Sequence, residues 1–196
     1  MPQSTHDNTT TDQDEAEIRR VMQAWSAALE AKDVAKLLAD YAPDAVLYDA
    51  IPPYKTEGAD NIRKVWENCL PYFPEHFKSE HRDVVIHVAG DVALVHGVHH
   101  FVPTPPDHPC GQTWMRVSIG FRRLEGSWKV VHEHVSIPFN PMNNQAWFIA
   151  NPDAADMPDY GGGGESSSLW TLGHDEPCMG RFIPGISGLS GGAGHP

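Results

Sequence analysis

The stretch RVSIGFRRLEGSWKVVHEHVSIPF, residues 116–139, decides the fold. Two runs rich in β-branched and aromatic side chains flank Leu124-Glu125-Gly126-Ser127, a pattern that predicts two strands joined by a tight turn. The second run carries the unusual pair His132 and His134 around Glu133. Side chains alternate along a strand, so Trp128, Val130, His132, His134 and Ser136 share one face. Lys129, Val131, Glu133, Val135 and Ile137 share the other. Lys129 and Glu133 favour water, which turns Trp128 and both histidines inward. Val131, Val135 and Ile137 are then left as an outer apolar patch, which predicts a homodimer through that sheet face.

Upstream, residues 112–123 supply the partner strand. Residues 82–88 and 92–102 form a further pair around the turn Gly90-Asp91. Ahead of these strands the period becomes helical. Ile18, Val21, Met22, Trp25 and Leu29 make one apolar stripe, with Asp12 or Asp14 as cap and Glu15 and Glu17 in the first turn. A short helix follows Asp33, with Val34, Leu37, Leu38 and Tyr41 on one side. Residues 45–49 read as a strand halted by Pro52 and Pro53. Gly58 and Asp60 open a third helix with the stripe Ile62, Val65, Trp66, Cys69 and Leu70, ended by Pro71 and Pro74. Helices followed by a run of antiparallel strands predict an α+β fold, with the helices on one face of a curved sheet.

The flanks differ in character. Residues 1–13 are polar and aperiodic, which predicts a disordered segment. Residues 14–140 form the domain. Residues 141–196, with four consecutive glycines at 161–164 and many prolines, predict an extended Gly/Pro-rich appendage. A chain of 196 residues can bury one good core. Its formal net charge of −12 sits mostly at the ends: residues 1–17 hold five acids and no base, and residues 138–196 hold six acids against Arg181. No basic face is available for phosphates, which argues against nucleic acid as a partner. Three separated cysteines argue against a disulfide framework. No apolar run approaches the roughly 20 residues of a membrane helix, and the polar start lacks a secretory signal. The expectation is a cytoplasmic protein with no membrane contact. Neither G-x-G-x-x-G nor G-x-x-x-x-G-K-[ST] occurs, so no nucleotide cofactor is expected.

The order of elements, with AWSAALEAKD, YAPDAVLYDAIPP, a Gly-led third helix and the hairpin above, resembles the nuclear transport factor 2-like superfamily, and within it the SnoaL-like proteins. The resemblance spans about residues 14–140. It implies a cystatin-like, cone-shaped roll in which a curved antiparallel sheet wraps a long N-terminal helix, with two further short helices and a deep pocket. It also implies dimers through the outer sheet face. That superfamily hosts isomerases, dehydratases, cyclases and non-catalytic association modules, so the fold alone does not select a chemistry.

Laid on the steroid isomerases of the superfamily, DAVLYDAIPP puts Asp49 at the general base. A carboxylate at a strand end beside an apolar pocket has its proton affinity raised by desolvation and can move protons. The same alignment puts Trp25 and Ile119 where those enzymes hold a tyrosine and a protonated aspartate, so their oxyanion hole is lost. In its place the sequence offers His134 or His132 as acid partner and Arg116 to orient an anionic or carbonyl group. Tyr48, Trp25, Trp66 and Trp114 would shape the wall. Together these residues predict a small-molecule pocket, with a cofactor-independent lyase or isomerase acting by proton transfer as the leading reading. A non-catalytic ligand-binding or association module is the alternative. A metal held by His132 and His134, completed by His96 or His100 and Asp49, ranks third.

Overall fold

The computed structural model describes residues 6–140 and 143–154. Residues 1–5 of the expected disordered segment, and residues 155–196 of the expected appendage, lie outside them. The chain begins with α1 (His6–Glu30). Its stripe Ile18, Met22 and Leu29 is buried as the period requires. The helix starts earlier than the apolar pattern suggests, so residues 6–13 are helical and the expectation of disorder there is corrected. Asp12, Asp14, Glu15 and Glu17, acids that looked like solvated tail or a first turn, lie inside this helix. One of them, Asp14, is buried and accepts a hydrogen bond from Arg123, whose guanidinium lies 4.4 Å above the Trp128 ring.

The short α2 (Val34–Leu37) is capped by Asp33, whose carboxylate accepts from the Lys36 N–H at 3.1 Å. Strand β1 (Tyr41–Tyr48) then starts four residues before the expected strand. Tyr41 therefore belongs to the sheet and not to the second helix. After β2 (Thr56–Glu57), Gly58 at φ 84° turns the chain into α3 (Ala59–Cys69), and the Pro71-containing turn Leu70–Tyr72 ends it. Four long strands follow: β3 (His76–Ala89), β4 (Val92–Thr104), β5 (Met115–Leu124) and β6 (Ser127–Ser136). A small hairpin, β7 (Phe139–Asn140) with β8 (Gln145–Ala146), comes last. No helix among the described residues is long and apolar enough to cross a membrane.

The six-stranded sheet has the order β2-β1-β6-β5-β4-β3. Its pairs are antiparallel except for β1 and β6, which run parallel with Leu47 opposite Glu133 and Tyr48 opposite His134. The sheet is thus mixed, where a wholly antiparallel one was expected. The helix α3 and four strands intervene between β1 and β6, ample length for the crossover that parallel pairing needs.

One irregularity in β6 governs everything that follows. Phe121 pairs with Val130 and Gly120 with His132, so Val131 is an unpaired extra residue, a β-bulge. An extra residue reverses the alternation beyond it. Trp128 and Val130 are buried before the bulge; after it, Glu133 is buried opposite Ile119, and Val135 lies opposite Val117. His132 and His134 consequently face outward, which corrects the expectation that both point inward. Val135 and Ile137 turn to the inner side in exchange. The outer apolar residues are instead Val85, Val92, Leu94 and Val102.

The core lies between this inner face and the helices. Val95, Phe121, Trp128 and Val130 pack with Ile18 of α1 and Ile62 of α3. A second cluster joins Leu29, Leu37, Leu70, Phe77 and Phe101. Each fully buried side chain of this size contributes roughly 1.5–3 kcal/mol.

Candidate functional site

The two clusters do not close completely against each other. Between them the inner sheet face and the helices enclose a cavity of about 280 Å3. Its walls are mostly apolar, with Trp25 from α1, Trp66 and Cys69 from α3, Phe101 from β4 and Val117 and Ile119 from β5. Asp49, Tyr41, Glu133, His81 and His99 bring polar atoms into this setting.

Asp49 follows β1 directly. It shares the inward parity of Leu47, and burial raises its pKa against the pull of the Ala50 and Ile51 backbone N–H groups. Glu133 stands on the neighbouring strand, 6% exposed. Its pKa is pushed up to about 7, first by desolvation and further by the charge of Asp49, while a hydrogen bond from the Tyr41 hydroxyl pulls the other way. The Tyr41 phenol is itself held well above its usual range by burial and by the adjacent Glu133. The Cys69 thiol rises to about 11 through burial and the Asp49 charge, so it stays protonated and unreactive at neutral pH.

Across the cavity His81 and His99 lie side by side, with ring centroids 4.6 Å apart. Trp25 meets both edge-on, at 6.0 and 5.8 Å. Desolvation lowers the pKa of His81, and it carries His99 down to about 3 with help from His81 and His100. Both rings are therefore neutral near pH 7. The arrangement joins two carboxyls of raised proton affinity to neutral imidazoles in an apolar enclosure, which suits proton transfer to and from an uncharged molecule.

Of the residues singled out in the sequence, Asp49, Trp25 and Trp66 line this cavity. The others lie elsewhere. His132 Nδ1 is 3.0 Å from the Val46 carbonyl, and its ring stands 4.8 Å from that of Tyr48. Tyr48 is 40% exposed, His134 is exposed beside it, and Arg116 is exposed on the outer face. Trp114 is buried against His100, stacked at 4.8 Å, with Arg82 above it at 5.4 Å. The bulge accounts for both histidines. Arg116 shares a strand face with Ser118, opposite the buried Val117 and Ile119, and stays in water as an unpaired guanidinium prefers. Among the described residues no group of three or more His, Cys, Asp or Glu assembles to hold a metal ion. Asp49 lies on the inner side of the sheet and His132 and His134 on the outer.

Glu133, Tyr41, His81 and His99 escaped the sequence reading. For His99 a signal existed: it shares parity on β4 with Ala93, Val95 and Phe101, the apolar face of the strand. Glu133 offered none, because its inward position depends on the bulge.

Residues 18–140 match the family model of the SnoaL-like domain. An NTF2-like protein of unknown function from Pseudomonas putida KT2440 is similar at 33% identity and a TM-score of 0.67, over 72% of this chain and 98% of that one. A provisionally named scytalone dehydratase from Novosphingobium aromaticivorans is similar at 17% identity and a TM-score of 0.56, over 65% and 86%. A provisionally named dehydratase of the NTF2-like family from Streptomyces avermitilis is similar at 22% identity and a TM-score of 0.55, over 64% and 96%. No curated protein matches the chain.

Proposed function

The chain belongs to the SnoaL-like domain family, and from that premise we propose that it is a cofactor-independent lyase or isomerase that moves protons on a small, uncharged, carbonyl-containing molecule. The observation that carries this reading is the carboxyl pair: Asp49 and Glu133 border one apolar cavity, with Glu133 held near pH 7. A carboxyl whose proton affinity is raised by burial suits the acid role. Glu133, with its pKa pushed up to about 7, is the acid. Asp49, facing the same cavity from the end of β1, is the base.

In an elimination Asp49 takes the proton next to the substrate carbonyl. The electron pair of that C–H bond forms the new double bond, and the C–O bond breaks. The departing hydroxyl takes the Glu133 proton and leaves as water. The Tyr41 hydroxyl, donating to Glu133, steadies the carboxylate that this step creates. In an isomerisation the same pair removes a proton at one carbon and returns one at another. An uncharged substrate is favoured because Arg116 points away, and Lys36, a cation at the cavity wall, is paired with Asp33 at 2.9 Å. The Trp66 indole N–H is buried without a protein acceptor, an arrangement worth about 1–3 kcal/mol to an acceptor that reaches it. Two structures of the same fold carry dehydratase names, which is consistent with this chemistry.

The test is a screen of hydroxy-carbonyl compounds against wild type and Asp49→Asn. Turnover should fall roughly 10²–10⁴-fold in the variant with the circular dichroism spectrum unchanged. Normal turnover by Asp49→Asn removes Asp49 as the base, and binding without turnover by wild type favours a ligand-binding module.

A further inference from the structure

Behind the cavity wall a second space, about 430 Å3, opens between α1 and β3. Ser26, Glu30 and Ser79 line this groove, and His81 borders both it and the cavity. A chain of polar atoms connects the two spaces. His99, on the cavity, has Nε2 2.9 Å from Ser79 Oγ, and Ser79 Oγ lies 3.3 Å from Ser26 Oγ. The Glu30 carboxylate accepts the Ser79 backbone N–H at 3.0 Å and pairs with Lys78 at 2.8 Å, tying β3 to α1 at this point.

A hydroxyl has one proton and two lone pairs, and a neutral imidazole has one N–H and one lone pair. The chain can therefore run in either direction. When Ser26 donates to Ser79 and Ser79 donates to Nε2, His99 carries its proton on Nδ1. When Nε2–H donates to Ser79 and Ser79 donates to Ser26, Nδ1 holds a lone pair. Neither arrangement creates an ion, an important saving where burial disfavours the imidazolium so strongly.

We propose that Ser26, Ser79 and His99 form a two-way proton relay between the cavity and the α1–β3 groove. The proposal rests on the proton-transfer reading of the cavity, and it gives a proton on the His99 side of the cavity a route to solvent through the α1–β3 groove. In the outward direction a proton binds His99 Nδ1 while the Nε2 proton passes to Ser79 Oγ. The Ser79 proton passes to Ser26 Oγ, and the Ser26 proton leaves to groove water. Each atom gives up one proton as it gains one. Inward transfer reverses every step. Ser26 and Ser79 act through His99 and are positioning residues.

The experiment is NMR on the full chain labelled with ¹⁵N-histidine, with no substrate present. In wild type the His99 ring nitrogens should resonate between the two tautomer positions, and the ring N–H should exchange rapidly with water. Ser79→Ala should fix one tautomer and slow exchange by roughly 10²-fold, the low end of what positioned proton transfer contributes. Ser79→Thr keeps the hydroxyl and should restore both readouts. Ser26→Ala leaves Ser79 free to donate to His99 and should shift the population towards Nδ1–H; this variant serves as well if Ser79→Ala fails to fold. Unchanged tautomers and exchange in folded Ser79→Ala, or in Ser26→Ala, overturn the relay. Because no substrate is used, such a failure is distinct from a failure of the Asp49→Asn test.

Discussion

Glu133→Gln should make the protein more stable at alkaline pH and leave it little changed at acid pH. Wild-type Glu133 has its pKa raised from the ordinary 4.5 to about 7 on folding. At about 1.36 kcal/mol for each tenfold change in proton affinity, that rise corresponds to about 3 kcal/mol. The folded state binds the proton more tightly than the unfolded chain, so stability is fully present below pH 4.5 and declines as pH rises through about 7. Glutamine has no charge to bury, and its amide oxygen still accepts from Tyr41. The variant-minus-wild-type difference should therefore grow from pH 5 and level off above pH 8 at about 3 kcal/mol, or roughly 6–12 °C in Tm for a chain of this size. His81 and His99 have lowered pKa values and contribute with the opposite sign, gaining stability as pH rises towards 6.5. Both proteins contain them, so the subtraction removes their effect. Urea unfolding of the pair across this pH range is the assay. Parallel profiles, with a difference constant to within about the 10–15% error of extrapolation, would falsify the assignment of a raised Glu133 pKa and with it the acid role.

Deleting Val131 should remove the bulge and restore simple alternation along β6. Either Trp128 and Val130 or Glu133 and Val135 must then leave the inner face. Loss of Trp128 and Val130 from the core costs about 3–6 kcal/mol and should lower the urea midpoint steeply; loss of Glu133 instead should abolish the pH dependence described above, so an unchanged midpoint together with an unchanged pH profile contradicts the phase argument. On the outer face we propose a homodimer contact through Leu94, 49% exposed, with its exposed neighbours Val85 and Val92. Sedimentation should find wild type dimeric at micromolar concentration and Leu94→Lys monomeric, and a monomeric wild type removes the contact.

Much of the fold could be read from the chain because its signals were local. The stripe from Ile18 to Leu29, the glycine that opens α3 and the turns at Gly90 and Gly126 each fix their element within a few residues. Parallel pairing of β1 with β6 carries no local mark, since it joins segments more than 80 residues apart. The site was legible only where it shared that locality. Asp49 was singled out through the resemblance of DAVLYDAIPP to the isomerase motif, and the strand before it set its inward parity. Tyr41 was lost because its hydrophobic spacing with Val34 and Leu37 also suits a helix, and sheet pairing with Val130 overrode that preference. The strand histidines were misplaced because a bulge has no side-chain requirement at Val131 that a sequence could announce.

The parallel pairing of β1 with β6 also bears on how such a protein can change. Asp49 and Glu133 are spaced by adjacent backbones, with Leu47 hydrogen-bond-registered opposite Glu133. The surfaces that would judge a ligand's shape come from other elements: Trp25 on α1, Trp66 on α3 and Phe101 on β4. Substitutions at those three positions can reshape the space while the distance between the two acids stays set by the sheet. In the proposed reading, chemistry and selectivity are thus inherited on separate parts of the chain, and a new ligand can be explored without rebuilding the proposed acid–base pair.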